Sequence, residues 1–276
     1  MKVGDKELDL RTPVVMSIIN VTPDSFFSGS RLATDDDIAR AVDRAVADGA
    51  SILDVGGYSS RPGAADVSPD EEFGRVSRAL AVIAERYPDM VVSVDTFRAG
   101  VARRCIDAFG PCIVNDISAG GLDAGMYATV AEYGVPYIAM HMRANPATMQ
   151  EHTEYDDVTE DVKAFFAARI SEMKAAGIKD CNIILDPGFG FAKTTAQNYQ
   201  LMRRMDELTA FGYPVLSGIS RKSMIYKVLG VEPADALAGT VALNWESLVK
   251  GASILRVHDT REAAEVVRLF EYYKNA

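Results

Sequence analysis

Two basic side chains near the end of the sequence are placed to hold an anion. Arg256 and His258 lie two residues apart in the segment ILRVHD. Residues i and i+2 of a β-strand face the same side, so both side chains would point into one site. A guanidinium fork and an imidazole are suited to binding phosphate oxygens. The alternative is an arginine that is ion-paired inside the fold, where burial without partners is costly.

A second group of side chains could bind a flat ring that carries N–H donors. Asp95, Asn115 and Asp186 each lie at the end of a short apolar run. A carboxylate pairs with a planar group that presents two adjacent N–H donors, as guanidinium and the aminopyrimidinone edge of a pterin or guanine do. Clustered aspartates also bind Mg²⁺, which leaves a metal site as the alternative. The three histidines form no H-x-H or H-E-x-x-H set, so a zinc hydrolase is poorly supported.

Two further segments carry positive charge. GISRKSM contains Arg221, Lys222 and Ser223 directly after an apolar run, and one of its two basic residues is expected to be a solvated surface charge. GGYSSRPGA (56–64) is glycine-rich, which permits unusual backbone conformations, and it contributes Arg61. It could also be an ordinary turn, because Gly, Pro and Ser dominate turns.

Eight short apolar runs alternate with longer amphipathic segments and would position these side chains. The runs are residues 14–20, 51–56, 91–95, 112–116, 137–142, 182–187, 214–220 and 253–259. The segments between them, such as 35–49, 69–87 and 157–177, repeat apolar residues at the helical period. Strands that are apolar on both faces and separated by helices indicate a parallel sheet covered by helices.

The number of these units favours one fold class. Eight strand–helix units predict an α/β protein, a (β/α)8 TIM barrel that forms a single domain over residues 1–276. An open doubly wound sheet is the alternative. The first strand is not followed by G-x-G-x-x-G, which weakens the dinucleotide-binding version of that alternative.

Nearly every predicted strand ends in a polar residue. These residues are Asn20, Asp54, Asp95, Asn115 with Asp116, His141, Asp186, Ser220 and His258. Active sites of barrels are built at the C-terminal ends of the strands, so these side chains are expected to converge on one mouth. The alternative is that Asp and Asn only cap the helices that follow.

Composition limits the classes of partner. The net charge of −10 makes nucleic acid and an anionic membrane surface unlikely partners, so an anionic substrate would need a local basic cluster. No apolar run approaches the length that spans a bilayer, and the N-terminus has no signal-peptide pattern. Three cysteines without a C-x-x-C pair suit a reducing, cytoplasmic setting.

Blocks along almost the whole chain closely resemble the dihydropteroate synthase family. INVTPDSFFSGS (19–30) is similar to the family's Asn-Val-Thr-Pro-Asp-Ser-Phe signature, and GASILDVGGYSSRPGA (49–64) is similar to its second signature. The resemblance continues, in family order, through SVDTFRAGVA, VNDISAG, MHMRANPATMQ, LDPGFGFAKTTAQN, SGISRKSM and GASILRVHD. Eight blocks in register are far more specific than any one of them.

The resemblance implies roles for individual residues. The implied pterin site is formed by Asp95, Asn115, Ile117, Met140, Asp186, Phe191, Lys222 and Arg256. The implied pyrophosphate site is formed by Asn20, Ser60, Arg61, Arg256 and His258, and Asn20 would also bind the Mg²⁺ cofactor. The implied p-aminobenzoate site is formed by Thr22, Pro23, Phe26, Pro62, Phe191, Lys222 and Ser223. The residues with catalytic roles would be Asp24, Arg61, Asp95, Lys222, Arg256 and His258.

The family reaction that this implies joins a pterin pyrophosphate to p-aminobenzoate in folate biosynthesis. It would follow a dissociative route, in which pyrophosphate leaves before the amine attacks, Mg²⁺ and basic residues stabilise the leaving group, and two loops close over the site. The resemblance also implies a homodimer through outer helices, ordered binding with the pterin first, and inhibition by sulfonamides. The alternatives are a pterin-binding methyltransferase domain and a non-catalytic paralogue.

Four positions depart from the family pattern. Tyr58 stands where the family often has Glu, and Ser60 where it often has Thr. Ala144 and Ala192 stand where it often has Gly. None of these changes removes an implied ligand.

Overall fold

The chain forms a closed barrel of eight parallel strands. A computed structural model of the protein describes residues 1–22, 34–59, 67–146 and 148–276. The barrel strands follow one another in sequence order around the barrel, and the last pairs with the first. They are β3 (Val14–Asn20), β4 (Ile52–Gly56), β5 (Val91–Asp95), β6 (Ile113–Asp116), β7 (Tyr137–Met140), β8 (Ile183–Asp186), β9 (Val215–Ser217) and β10 (Ala252–Val257). All eight predicted strands and the predicted (β/α)8 barrel are confirmed.

Helices follow the strands and cover the outside of the barrel. They are α1 (Asp35–Ala47), α2 (Pro69–Arg86), α3 (Ala99–Phe109), α4 (Met126–Tyr133), α5 (Val158–Ala175), α6 (Thr195–Arg203), α7 (Asp206–Thr209), α8 (Ser223–Leu229), α9 (Leu237–Val249) and α10 (Thr260–Asn275). None of these described helices is long and apolar enough to cross a membrane.

Local sequence explains where several helices begin. Thr34 and Asp37 form a capping box at the start of α1, and Thr194 and Gln197 form another at the start of α6. In each box the two residues satisfy backbone N–H groups that have no partner inside the helix. These caps fix the point at which the chain leaves each loop on the site side of the barrel.

A floor of apolar side chains closes the N-terminal end of the barrel. Each strand contributes one inward-facing residue, namely Met16, Ile52, Val91, Ile113, Ile138, Ile184, Leu216 and Ile254. A small antiparallel hairpin, β1 (Lys2–Val3) with β2 (Lys6–Glu7), adds Val3 and Leu8 beneath them. Two-residue strands leave no alternating pattern, so the sequence did not predict this hairpin. The inward positions that follow along each strand must therefore face the C-terminal mouth.

Both alanines that stand where the family often has glycine adopt left-handed backbone conformations. Ala144 has φ 60° and Ala192 has φ 49°. Glycine has no Cβ, so it enters this region without the steric cost that an alanine bears. The family's glycines at these positions therefore reflect the turn geometry, which this chain keeps with alanine.

Candidate active site

The centre of the mouth is an arginine held between two carboxylates. Arg256 Nε lies 2.6 Å from Asp54 Oδ2, and Arg256 Nη2 lies 2.6 Å from Asp95 Oδ2. Asn115 Nδ2 donates to both oxygens of Asp54, at 3.3 and 3.2 Å. The four side chains come from β4, β5, β6 and β10 and form one network. The sequence left open whether Arg256 is an anion clamp or is ion-paired inside the fold, and in this state it is ion-paired.

Burial shifts the proton affinities in this network. It raises the pKa of Asp95 to about 7, although the Arg256 guanidinium opposes the shift. Burial works against the charge of Arg256, but Asp54 and Asp95 outweigh it and hold the pKa of Arg256 above its ordinary value. Arg256 thus remains a cation, whereas Asp95 can change its protonation state near neutral pH. Perturbed groups of this kind are typical of functional sites.

Lys222 and Asp186 are a second pair of charged groups at the mouth. Lys222 Nζ donates to the Phe189 carbonyl at 2.6 Å and lies 4.7 Å from the centroid of the Phe191 ring. Burial lowers the pKa of Lys222 to about 8, and the Asp186 carboxylate opposes that shift. Asp186 Oδ1 accepts the Gly188 N–H at 2.8 Å. Burial raises the pKa of Asp186, against the Lys222 charge.

An apolar wall completes the mouth. Ile117, Met140 and Phe191, the three walls expected from the sequence, belong to one cluster. The structure adds residues that the sequence did not single out, namely Met142, Met149, Ala192 and Phe97. Phe97 also contacts Tyr58 edge to face, with 5.0 Å between ring centroids. The departure at Tyr58 is thus accommodated by aromatic packing at the rim.

Asp116 and His141 do not converge on the mouth, so this part of the strand-end prediction is wrong. Asp116 is buried on the outer side of β6, where its Oδ2 accepts the Tyr137 hydroxyl at 2.7 Å. The His141 ring contacts Phe165 of α5 edge to face, at 4.8 Å between centroids. Side chains alternate across a strand, and both residues occupy outward positions.

The predicted solvated charge in SRKS is wrong as well. The Arg221 side chain is only 10% exposed, and its Nε and Nη2 each lie 2.9 Å from an oxygen of Asp259. Arg221 Nη1 also donates to the carbonyl of Pro233. Arg221 has φ 53°, a left-handed conformation that turns it away from Lys222. It joins the loops after β9 and β10, whereas Lys222 enters the site.

The remaining expected ligands divide into two groups. His258 is exposed at the end of β10, and its Nδ1 lies 3.1 Å from Ser220 Oγ. Asn20 is half-buried at the end of β3, Thr22 is buried just beyond it, and Ser223 is the first residue of α8. The expected residues Pro23, Asp24, Phe26, Ser60, Arg61 and Pro62 lie outside the described residues.

The surroundings of Asn20 fit a hard cation that also binds phosphate. A Cβ added to Gly56 would lie 3.3 Å from Asn20 Oδ1 and 3.7 Å from Asp95 Oδ2, so glycine keeps space between the two oxygens. Among the described residues, no three His, Cys, Asp or Glu side chains form a metal site. Mg²⁺ often keeps few protein ligands and completes its shell with substrate phosphates.

Comparisons with known proteins agree with this geometry. Residues 16–258 match the model of a family described as pterin binding enzyme. The dihydropteroate synthase of Escherichia coli K12 is 43% identical over 264 residues, which cover 96% of this chain and 93% of that protein.

Solved structures are similarly close. The crystal structure of Yersinia pestis dihydropteroate synthase in a sulfonamide drug complex has a TM-score of 0.95 and 40% identity, and it covers 100% of this chain and 99% of that one. Xanthomonas albilineans dihydropteroate synthase with 4-aminobenzoic acid has a TM-score of 0.88 and 37% identity, covering 98% and 96%. Similarity at this level extends over the whole barrel, strands and mouth together. The chain belongs to the dihydropteroate synthase family of pterin-binding enzymes.

Proposed function

We propose that the chain joins 6-hydroxymethyl-7,8-dihydropterin pyrophosphate to p-aminobenzoate, giving 7,8-dihydropteroate and pyrophosphate. The observation that carries this proposal is the charged network at the mouth, where Arg256 lies between Asp54 and Asp95. The carboxylates of this network are suited to binding ring N–H groups, and its planar cation is suited to binding phosphates. Family membership agrees with this reaction.

The pterin would lie between the charged network and the apolar wall. Asp186, Asn115 and Asp95 would accept from or donate to its amino and ring nitrogens, and Lys222 would donate to the ring. Ile117, Met140 and Phe191 would contact its faces. The arylamine would bind beyond it, near Phe191, Lys222 and Ser223. Lys222 Nζ lies 4.7 Å from the centroid of the Phe191 ring, which supports a boundary that both substrates share.

The proposed route is dissociative. Arg256 and His258 would stabilise pyrophosphate as its negative charge grows, and Asp95 would supply the opposite charge near the pterin methylene cation. Arg61 and Asp24, outside the described residues, are proposed to assist in these two roles. Mg²⁺ held by Asn20 would supply charge neutralisation on the phosphates. The arylamine nitrogen then attacks a strong electrophile and needs no strong base.

The test is the complete reaction with single omissions. Purified protein is incubated with the pterin pyrophosphate, p-aminobenzoate and Mg²⁺, and both dihydropteroate and pyrophosphate are measured. We expect equal amounts of the two products, and loss of dihydropteroate when either organic substrate is omitted. Loss of activity with a chelator, restored by added Mg²⁺, would support the cofactor. A folded protein that binds the pterin but forms no dihydropteroate would contradict the function.

The pH dependence of kcat/KM should follow Asp95 and Lys222. Asp95, with a pKa of about 7, is a carboxylate only above that pH, and Lys222, with a pKa of about 8, is an ammonium only below that pH. We therefore expect a bell-shaped profile with its maximum between these values, measured as pyrophosphate release from about pH 5.5 to about 9.5. Lys222→Arg keeps its charge throughout, so its profile should lose the alkaline limb. A flat wild-type profile would contradict these roles.

The protein is proposed to be a homodimer through α9 and α10. Leu269, Tyr272 and Tyr273 are 64%, 80% and 68% exposed on α10, and Trp245 of α9 contacts Tyr273 with 5.6 Å between centroids. Exposed aromatic and aliphatic side chains in one area are typical of an interface.

Charge on this surface should separate the subunits. We expect the double variant Leu269→Glu, Tyr273→Glu to raise the dimer dissociation constant by about 100-fold or more, measured by light scattering across concentrations. Phe109→Glu is the matched control, because Phe109 is a 36% exposed apolar residue on α3 and should leave the dimer intact. A double variant with the wild-type mass at every concentration would contradict the proposed interface.

A cytoplasmic location and inhibition by sulfonamides are part of the same proposal. Cys105 and Cys112 are buried free thiols and Cys181 is an exposed one, which supports a reducing, cytoplasmic location. The sulfonamide complex of the Yersinia pestis relative supports competition between sulfonamides and p-aminobenzoate at this site.

A further inference from the structure

A buried lysine lies directly behind the wall of the proposed active site. Lys193 is 4% exposed, and none of the ion pairs found among the described residues involves it. Its Nζ instead lies 2.9 Å from the Gly188 carbonyl, 3.1 Å from the Phe191 carbonyl and 2.9 Å from His141 Nδ1. A buried amine without a carboxylate is costly, so stability alone is a poor reason for it.

The three partners of Lys193 satisfy it in a defined way. The two carbonyls can only accept hydrogen bonds, so Nζ donates to both, whereas the role of His141 Nδ1 follows the tautomer of its ring. Burial lowers the pKa of Lys193 well below its ordinary value, against the charge of Asp186. Burial holds the pKa of His141 well below its ordinary value, which favours the neutral imidazole. The backbone N–H of His141 donates to the Asp186 carbonyl at 2.9 Å. Lys193 therefore joins the end of β7 to the loop that follows β8.

That loop needs support from outside. Gly188, Gly190 and Ala192 have φ values of 67°, 81° and 49°, three left-handed residues within five positions. Glycine adopts many backbone conformations freely, so Gly188 and Gly190 do not fix the turn by themselves, and the left-handed conformation of Ala192 persists only where its surroundings determine it. Lys222 donates to the Phe189 carbonyl, and Lys193 donates to the carbonyls of Gly188 and Phe191 on either side of it.

We infer that Lys193 is a positioning residue that fixes the Phe191 ring against Lys222 and so shapes the arylamine site. The inference rests on the function proposed above. Lys193 touches neither substrate in this assignment. It acts on the arylamine site through the loop, and its charge affects Asp186 only as a minor influence on the pKa of that carboxyl. The pterin site shares Phe191 but depends on Lys193 less, because its contacts Asn115, Met140 and Asp186 belong to strands that are held by pairing. The two substrates should therefore respond differently when Lys193 is changed.

Lys193→Met nearly keeps the length of the side chain and removes the amine with its hydrogen bonds to the two loop carbonyls and His141. We expect the KM for p-aminobenzoate to rise by about tenfold or more, as loss of the buried hydrogen bonds that hold the loop implies. The KM for the pterin pyrophosphate should stay within about threefold of wild type, and kcat should change less than the arylamine KM. Steady-state kinetics with each substrate varied, together with Tm, measure these effects.

Tyr137→Phe is the matched control. It removes another buried hydrogen bond of the same barrel, from the Tyr137 hydroxyl to Asp116, on the outer side and away from the mouth. It should lower Tm and leave both KM values unchanged. A folded Lys193→Met with a wild-type arylamine KM, or with both KM values raised equally, would overturn the inference. An inactive wild type would instead overturn the proposed function.

Asn198→Ala keeps the inference testable if Lys193→Met does not fold. Asn198 Oδ1 accepts the Gly190 N–H at 2.7 Å and holds the same loop from α6. This variant should also raise the arylamine KM selectively. Wild-type values of both KM in folded Asn198→Ala would count against a loop whose position sets arylamine binding.

Discussion

Arg256→Met should lower kcat/KM by about a thousandfold or more, since it removes the planar cation that would face the leaving group. The same change leaves the carboxylates of Asp54 and Asp95 without the guanidinium that lies 2.6 Å from each. Removal of one partner from a buried ion pair typically costs about 3–5 kcal/mol, so Tm should fall as well. Pyrophosphate release and thermal unfolding measure the two effects.

Loss of Arg256 should also shift the pH profile of the remaining activity, which unfolding alone would not do. Arg256 is the group that opposes the burial-driven rise in the pKa of Asp95, so its loss should raise that pKa further above about 7. The acid limb of the residual activity should therefore move to higher pH. Arg256→Lys should lose less activity than Arg256→Met, because an ammonium is a point charge that serves one carboxylate well.

The matched control is Arg261→Met. Arg261 pairs with Asp48 on the outside of the barrel, where its side chain is 68% exposed. An exposed pair contributes little, so this variant should keep wild-type activity and nearly wild-type Tm. Arg256→Met with activity within tenfold of wild type would show that the central arginine does not serve the leaving group.

The barrel could be predicted from the sequence because its signals are repeated and local. Eight apolar runs alternate with amphipathic segments, and each run coincides with one strand of the observed barrel to within one residue at the strand start or a few at its end. The hairpin of β1 and β2 carries no such signal, because its strands have two residues each and depend on contact with the barrel floor.

The candidate site could be predicted only in part. Family blocks named Asp95, Asn115, Asp186, Lys222 and Arg256, and the structure brings these side chains to one mouth. Asp54 was noted as a strand-end residue without a role, although it accepts from both Arg256 and Asn115. A partner that is 202 residues away in sequence leaves no local pattern.

The position of a residue at a strand end does not say whether its side chain points into the barrel or away from it. Asn115 and Asp116 are adjacent, yet the first joins the network with Asp54 and the second binds Tyr137 outside the barrel. Counting in steps of two from the floor residue of the same strand, Ile113, separates them, because alternate residues share a face. The sequence contains this alternation, but the floor residue must be known before it can be used.

Asp186→Ala should lower kcat/KM by about 100- to 1000-fold, because a buried carboxylate that pairs with ring N–H groups is lost. Lys222 should respond too. Asp186 is the group that opposes the lowering of the Lys222 pKa, so without it that pKa should fall below about 8. The alkaline limb of the remaining activity should then move to lower pH. Pyrophosphate release as a function of pH measures both effects.

Stability should not follow activity in this variant. Burial raises the folded-state pKa of Asp186 above its unfolded value, so its contribution to stability is present at low pH and is lost as pH rises through the folded pKa. Above that folded-state pKa the ionised carboxylate therefore favours the unfolded chain, and alanine removes that cost while losing the bond to the Gly188 N–H. We expect Tm to change little near pH 8 and to fall relative to wild type in acid.

Asp180→Ala provides the comparison at the opposite end of the same strand. Asp180 precedes β8, its side chain is 60% exposed, and it pairs with Lys174. It should keep wild-type activity because it is a surface carboxylate without access to the mouth. If Asp186→Ala loses activity only in proportion to a loss of folded protein, the carboxylate supports the fold rather than the pterin. If it stays folded and inactive while Asp180→Ala remains active, the charge at the end of β8 serves substrate binding.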